Sequence, residues 1–201
     1  MKAKRILLIS TSFIAIVLFI IWQTGLIGLW AEGMAYIANN TKEFTDTNGH
    51  IVSGQYSISI DLSNLESNFG KEVYNDGTQR IYIILVDNTG NVNSGGYRIG
   101  FRSVGQYSLS GASLISGVHH ATVNENSFTT TMSAKMTAEY HGKTYTSAVY
   151  STSGLNYKDG DDFSFYIFPG ESYKSQEITL NEKGIVNLTV TDLYKNIWSK
   201  K

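Results

Sequence analysis

The sequence predicts an all-β fold, an antiparallel β-sandwich of immunoglobulin-like or jelly-roll-like type, behind an N-terminal transmembrane helix. From residue 51 onward, apolar and polar residues alternate with a period of two, which is typical of strands that bury one face. Clusters of Gly, Asn and Asp separate these runs, as expected for antiparallel strands joined by turns. Ahead of them, residues 6–31 form one uncharged run. It is longer than the about 20 residues that a bilayer-spanning helix needs.

The charges that flank the uncharged run predict its orientation. Lys2, Lys4 and Arg5 precede the run and Glu32 follows it. The positive-inside rule therefore places the N-terminus in the cytoplasm and the rest of the chain outside. A secretory signal has a shorter apolar core and a small-residue cleavage site, so the run favours an uncleaved signal-anchor in the cell membrane. Cleavage, which would give a secreted protein, is the alternative.

This interpretation divides the chain into three segments. Residues 1–31 are predicted to be a cytoplasmic tip and a transmembrane helix, and residues 51–201 an extracytoplasmic β-sandwich domain. Between them, residues 32–50 are predicted to form a juxtamembrane helical extension or linker, because Met34 and Ile37 keep a helical spacing.

The clearest strand signal is the run Phe128–Tyr140. Apolar residues such as Met136 fall on one face, and the opposite face, with Lys135 and Glu139, is wholly polar. A straight strand of this length would exceed about 40 Å, so we expect a bend or bulge within it. His141-Gly142 then supplies a tight turn.

Further strands are predicted at intervals along the chain. They cover Tyr56–Leu62, Arg80–Val86, Tyr97–Arg102, Lys143–Ser151 and Phe163–Phe168, and a last hairpin joins Ile178–Leu180 to Ile185–Thr191. The alternation predicts that Tyr97, Ile99 and Phe101 face inward, as do Tyr145 and Val149.

Two short segments are predicted to lie outside the strands. Leu193, Ile197 and Trp198 have the spacing of a short amphipathic turn that docks on the edge of the sandwich. His119-His120 is expected to be a solvated loop pair. In a strand, by contrast, adjacent rings would face opposite sides and could not share one metal ion.

Composition excludes several classes of partner. The chain has 16 basic and 17 acidic residues, and three of the basic ones precede the uncharged run, so the predicted exported part is net negative. That charge argues against binding to nucleic acid or to anionic lipid. The chain has no cysteine, which excludes disulfides and fits a prokaryotic surface better than a eukaryotic secreted protein.

The sequence carries no recognisable catalytic motif. A nucleophile elbow, a P-loop, a metalloprotease helix and a dinucleotide fingerprint are all absent, so we predict no enzyme activity and no cofactor. Carboxylates suit a hard cation such as Ca²⁺, but the cluster Asp159-Gly160-Asp161-Asp162 lacks the Gly and Glu spacing of an EF-hand loop. We therefore predict no metal site, with Asp159, Asp161 and Asp162 as weak candidates.

The tyrosines offer the best candidates for a binding surface. All 13 lie after residue 35, in the predicted exported part. Most are expected to pack within the sheets, because aromatic rings fit a pleated surface. Tyr150 and Tyr157 have a less clear inward parity. We therefore predict that these two bind a protein or glycan of the cell envelope, since tyrosine is enriched at interfaces.

The predicted function is non-enzymatic binding at the cell surface by a domain anchored through residues 6–31. An apolar N-terminal helix carrying an antiparallel β domain resembles the layout of pilin-like and other surface-appendage proteins, including membrane-anchored archaeal ones. That resemblance implies an alternative, a structural subunit that forms homo-oligomers through its N-terminal helix. The chain departs from pilins at residues 6–10, Ile-Leu-Leu-Ile-Ser, where the processing signature would place a Glu. A secreted carbohydrate-active protein with dispersed carboxylates is the other alternative.

Overall fold

The computed structural model describes residues 2–124 and 127–201, with the side chains of residues 2–10 and 128 outside that description. The described chain is mostly β, as predicted. Its helices are α1 (Lys2–Gln23), α2 (Leu26–Glu32), α3 (Met34–Asn39) and α4 (Gly170–Lys174), and short 3-10 turns cover Leu65–Asn68 and Val92–Ser94.

The strands are numbered here in chain order. They are β1 (Phe44–Asp46), β2 (His50–Ile51), β3 (Tyr56–Asp61), β4 (Glu72–Asn75), β5 (Arg80–Asn88), β6 (Tyr97–Val104), β7 (Gln106–Ser108), β8 (Gly111–Ser116), β9 (Val118–Asn124), β10 (Ser127–Met132), β11 (Lys135–Tyr140), β12 (Lys143–Thr146), β13 (Ala148–Thr152), β14 (Gly160–Tyr166), β15 (Ile185–Thr191) and β16 (Tyr194–Lys200).

The described strands pair in antiparallel fashion within several sheets. One five-stranded sheet has the order β13-β14-β6-β5-β4, and a four-stranded sheet has the order β12-β11-β15-β3. Another sheet has the order β1-β16-β8-β7, with β2 also paired to β16, and β9 forms a two-stranded ribbon with β10.

One hydrophobic core joins the four-stranded sheet to the sheet of β13, β14, β6, β5 and β4. Ile60, Met136 and Leu188 from the four-stranded sheet are buried in the same cluster as Phe101 and Phe163 from the five-stranded sheet. The rings of Phe101 and Phe163 stack with their centroids 5.2 Å apart. The apolar faces predicted from the period of two therefore pack against each other.

The run Phe128–Tyr140 has the predicted parity but forms two strands. Met136 is 1% exposed, while Lys135 and Glu139 are exposed. The chain bends at residues 133–134, where both backbone amides donate to the carbonyl of Gly117. β10 and β11 consequently enter different sheets, and the side chain of Phe128 lies outside the described residues.

The predicted return strand Lys143–Ser151 also changes sheets. β12 ends at Thr146, and the Ser147 hydroxyl donates to the carbonyl of Ile167 at 2.9 Å. β13 then pairs with β14 across a bulge. Tyr145 is buried, as predicted, but Val149 is 48% exposed. The prediction that Val149 faces inward was wrong, because β13 belongs to a different sheet from β12.

Two predictions about the C-terminal third were wrong. Ile178–Leu180 is not a strand; it follows α4, and β15 pairs instead with β11 and β3. Tyr194–Lys200 is not an amphipathic turn but β16, which pairs with β1, β2 and β8. Trp198 is 2% exposed within that sheet. The pairing partners of both segments are distant in sequence, and a local pattern does not reveal them.

The N-terminal uncharged run is broken rather than continuous. Among the residues whose side chains are described, no single helix is long and apolar enough to cross a bilayer. Thr11–Gln23 and Leu26–Glu32 meet that requirement only together, by length and composition, and they are bent by 64° at the break between them.

A second, smaller core attaches the helices to the β domain. Leu29, Met34 and Ile37 are buried in one cluster with Leu114 and Trp198. The strand β1, which lies within the segment predicted to be a linker, pairs with β16 and extends the same sheet. The polypeptide between the helices and the domain is thus packed against the sheet.

Candidate functional site

The candidate binding surface is the outward face of the five-stranded sheet, and β6 runs through its centre. Tyr97, Ile99 and Phe101 point into the core and are nearly inaccessible to solvent. Because successive strand residues alternate sides, Arg98 and Arg102 point outward. Their side chains are 21% and 24% exposed, so each lies partly covered by neighbours on the face.

Arg102 forms the first of two similar clusters. Its Nε lies 2.8 Å from Oδ1 of Asp162 and its Nη2 lies 3.0 Å from Oδ2, a two-point contact across paired strands. Its guanidinium carbon lies 3.4 Å from the ring centroid of Tyr157. The hydrogen bonds to Asp162 raise the pKa of Arg102 above its usual value, although burial opposes the shift. The carboxylate and the ring together hold the guanidinium in one position.

Arg98 forms the second cluster, further along the same strand. Its guanidinium makes a two-point contact with Asp87 on β5, and its Nη1 donates to the Tyr150 hydroxyl at 2.8 Å. The hydrogen bonds to Asp87 raise the pKa of Arg98, again against the effect of burial. Its guanidinium carbon lies 4.7 Å from the Tyr150 ring centroid, and that ring packs edge-on against Tyr166 at 5.1 Å.

The two clusters share a composition that favours binding over chemistry. Each arginine is paired with a carboxylate, so the face carries little net charge from these groups. Tyr150 and Tyr157 remain 41% and 36% exposed, which leaves ring surface available to a partner. The clusters are about 13 Å apart, since Arg98 and Arg102 are four strand residues apart at about 3.3 Å each.

The surface between the clusters is closed by neighbouring side chains. Gly100 lies midway along β6, and a Cβ there would lie 3.1 Å from the Cβ of Leu85 and 3.2 Å from the Oγ of Ser164. Gly100 is itself buried, so the side chains of Leu85 and Ser164 on the adjacent strands cover the backbone between the two aromatic groups. A bound chain or sugar would contact both rings across this closed surface.

A separate polar centre lies inside the protein. The Ser116 hydroxyl lies 2.8 Å from both carboxylate oxygens of Asp161, and His120 Nε2 lies 2.6 Å from Oδ2 of the same group. In a catalytic triad the imidazole lies between the hydroxyl and the carboxylate, whereas here the carboxylate lies between the other two. All three residues are at most 1% exposed. The arrangement joins β8, β9 and β14, and it is inaccessible to a substrate.

The histidine pair therefore differs from its prediction. His119-His120 belongs to β9 and not to a solvated loop. The two rings face opposite sides, as adjacent strand residues must. His120 is in the buried centre, while the His119 ring stacks on Tyr194 with centroids 4.0 Å apart.

The weak metal candidates point in different directions. Asp161 faces the core and Asp162 faces outward toward Arg102, because they are adjacent on β14. Asp159 lies just before the strand, and its carbonyl accepts a hydrogen bond from the amide of Gly105. Within the described residues, no group of three or more His, Asp or Glu side chains is arranged to hold a metal ion.

Sequence reasoning selected the tyrosines but missed the arginines beneath them. The available signal was the pair of basic residues Arg98 and Arg102, both on the polar side of an apolar strand. Nothing local to the sequence shows that Tyr150 and Tyr157 reach the same strand, since both lie about 50 residues further along the chain. Comparison with protein-family models, with curated proteins and with solved structures found no match to this chain.

Proposed function

We propose that this chain is a membrane-anchored, extracytoplasmic β-sandwich domain that binds a protein or glycan of the cell envelope without catalysing a reaction. The sandwich, of immunoglobulin-like or jelly-roll-like type, is supported by the core that the four-stranded and five-stranded sheets share. Both sheets bury one face and leave the other polar, which is the arrangement of such domains.

The anchor is supported by the apolar composition of α1 and α2, which reach the length of a membrane span only together. The uncharged part of α1, residues 6–23, corresponds to about 27 Å at 1.5 Å per residue. A bilayer core is about 30 Å thick. The charged residues of this helix, Lys2, Lys4 and Arg5, lie at its start. Large apolar side chains such as Phe13, 66% exposed, project outward from it.

The single observation that carries the binding proposal is the placement of Tyr150 and Tyr157. Both rings lie over arginines of the same strand, on the same outward face. Rigid, half-exposed aromatic rings provide contact area at little cost in conformational entropy, and tyrosine is enriched at contact hot spots. A flat face with two such rings suits an extended peptide or glycan better than a small molecule.

The absence of catalysis is supported by the positions of the reactive groups, which are enclosed or already paired. The Ser116, Asp161 and His120 side chains are enclosed in the core, and the carboxylates of Asp87 and Asp162 are occupied by arginines. On the outward face, no described carboxylate of the two clusters is left to act as a general acid or base. The face can hold a partner but offers it no reactive pair.

The test compares partner capture by matched variants of the full chain in detergent. The wild type should retain a partner from envelope extract. The double variant Tyr150→Ala, Tyr157→Ala should bind that partner more weakly, with a loss in binding free energy of about 1–2 kcal/mol per ring. Phe69→Ala is the control, because Phe69 is also an exposed aromatic, at 50%, but lies in the loop before β4. Identical capture profiles for wild type and double variant would remove this face, and turnover of a bound glycan or peptide would refute the non-enzymatic function.

A further inference from the structure

The short helix α2 has two apolar faces with different environments. Leu29 is 7% exposed and packs in the smaller core. Leu26, Ile27 and Trp30 are 42%, 44% and 75% exposed. Leu26 and Trp30 are four residues apart, so they lie on one side of the helix with Ile27 beside them. One face is therefore docked on the β domain, and the other presents three large apolar side chains outward.

On the docked face of α2, two glycines lie directly against the ring of Tyr36. Gly25 has a left-handed φ of 76°, and a Cβ there would lie 2.5 Å from the Tyr36 hydroxyl. A Cβ at Gly28 would lie 2.3 Å from the Tyr36 ring. The Tyr36 hydroxyl also accepts a hydrogen bond from Asn40 at 3.2 Å, and its ring packs edge-on against Phe44. Tyr36 thus fixes α2 against α3 and β1 at the bend.

The other end of α2 is fixed to the β domain itself. Gly33 has φ 61°, and a Cβ there would lie 2.1 Å from the carbonyl oxygen of Lys158. That carbonyl accepts the amide of Met34 at 2.8 Å. Both ends of α2 are therefore held by close backbone or ring contacts, and α2 and the β domain form a single packed body.

The exposed apolar side chains of α2 follow directly on those of α1 along the chain. Phe19, Ile20 and Trp22, just before the break, are each more than half exposed. Beyond the break, the Lys158 ammonium lies 5.1 Å from the ring centroid of Trp30. A tryptophan beside a lysine is the combination favoured at a membrane–water interface, where the ring lies among headgroups and the amine reaches phosphate.

We propose that α2 lies in the headgroup layer of the membrane that α1 enters, with Leu26, Ile27 and Trp30 toward the lipid. The 64° bend turns α2 away from the axis of α1, as a helix lying along a surface requires. Since α2 is packed against the β domain, its contact with lipid sets the tilt of the domain and of the Tyr150 and Tyr157 face. This inference rests on the proposed anchoring by α1.

The absence of cysteine in the chain permits a direct test with single nitroxide labels. Full-length Ile16→Cys, Leu26→Cys and Thr144→Cys are labelled and reconstituted into phosphatidylcholine vesicles. Relaxation by oxygen, which concentrates in lipid, is compared with relaxation by a water-soluble nickel chelate. Ile16 lies in α1, and Thr144 lies on an exposed strand of the β domain. We expect Ile16 to be deep, Leu26 to be at headgroup depth and Thr144 to be in water.

The possible outcomes separate the two proposals. If Ile16 and Leu26 are both as accessible to nickel as Thr144, the proposed anchoring fails. If Ile16 is deep but Leu26 is as accessible as Thr144, anchoring stands and the position of α2 is refuted. Spin–spin broadening confined to Leu26 would show that a second copy of the chain covers α2, and this too would refute contact with lipid.

The effect on tilt is tested with a donor dye at Thr144→Cys and acceptor dyes on lipid headgroups. Gly28→Leu should broaden the distribution of donor–membrane distances, because its side chain must displace the Tyr36 ring. Gly170→Ala is the control, since a Cβ at Gly170 meets no atom within 4 Å. Tyr36→Ala provides a second variant that removes the same contact without adding bulk. If both α2 variants retain the wild-type distribution, the coupling between α2 and domain tilt is refuted.

Discussion

Arg102 carries its guanidinium carbon 3.4 Å from the ring centroid of Tyr157 while the same group makes a two-point contact with a carboxylate. The arginine therefore positions the exposed ring of Tyr157, which lies in the short connection between β13 and β14. Because the ring is held from below, it presents one face to solvent in a defined orientation. Arg98 positions Tyr150 differently, by donating a hydrogen bond to its hydroxyl, with the guanidinium carbon 4.7 Å from the ring centroid.

Replacing Arg102 should destabilise the domain more than replacing an arginine in a looser pair. Arg102→Gln leaves the carboxylate of Asp162, 20% exposed, without its charged partner, and we expect a loss of about 1–3 kcal/mol. Arg80→Gln is the control, because its pair with Glu72 is 3.9 Å long and half exposed; it should cost less than about 0.5 kcal/mol. Urea denaturation measures both. Equal losses would show that the partial burial and two-point contact of the Arg102–Asp162 pair add no stability.

A charge in the main core should be far more damaging than a change on the polar face of the same strand. Met136→Asp places an unpaired carboxylate at a position that is 1% exposed and should cost about 3 kcal/mol or more. Glu139→Gln, on the exposed face of β11, should stay within about 0.5 kcal/mol. Thermal melting of the two variants tests the parity of β11, and similar shifts would disprove it.

Acid should weaken the turn after β4 through Asp76. Burial alone would raise the pKa of this carboxyl, but hydrogen bonds from Gln79, Thr78 and Tyr74 outweigh burial and lower the pKa to about 2. A lowered folded pKa means that the stabilisation is present above about pH 4 and is lost as the pH falls toward 2. Asp76→Asn should therefore lose less stability than wild type between pH 4 and 2, by under about 1 kcal/mol because the site is solvent-screened.

Urea midpoints of wild type and Asp76→Asn, measured at intervals across that pH range, give the comparison. Other carboxyls titrate in both proteins, so only the difference between the two curves reports on Asp76. Parallel curves from pH 4 to pH 2 would show that the hydrogen bonds at this turn contribute no acid-sensitive stability.

Removal of divalent metal should leave the fold unaffected. The carboxylate of Asp162 is taken up by Arg102, and that of Asp161 by Ser116 and His120. Neither group is left free to coordinate Ca²⁺. The melting temperature of the full chain in detergent should be the same with and without EDTA. A fall of several degrees on adding chelator would restore a calcium site near Asp159 as the leading interpretation.

Local periodicity determined much of the fold. The alternation of apolar and polar residues assigned Tyr97, Ile99, Phe101 and Met136 to the core, because strand side chains must alternate sides. His141-Gly142 forms the expected turn, with φ values of 51° and 73°. These features depend only on residues that are close together in the chain, so the sequence alone predicts them.

Tertiary structure alone decided which strands meet. The exposure of Val149, the central place of β16 and the bond between His120 and Asp161 all depend on pairings between distant segments. The bend near Gly25 likewise depends on a ring eleven residues away, at Tyr36. The alternation of residues within a segment shows which side chains share a face of that strand. It does not show which distant strand pairs with it in the folded chain. The sequence therefore determined the faces of the strands, and only the folded chain placed Tyr150 and Tyr157 over the arginines of β6.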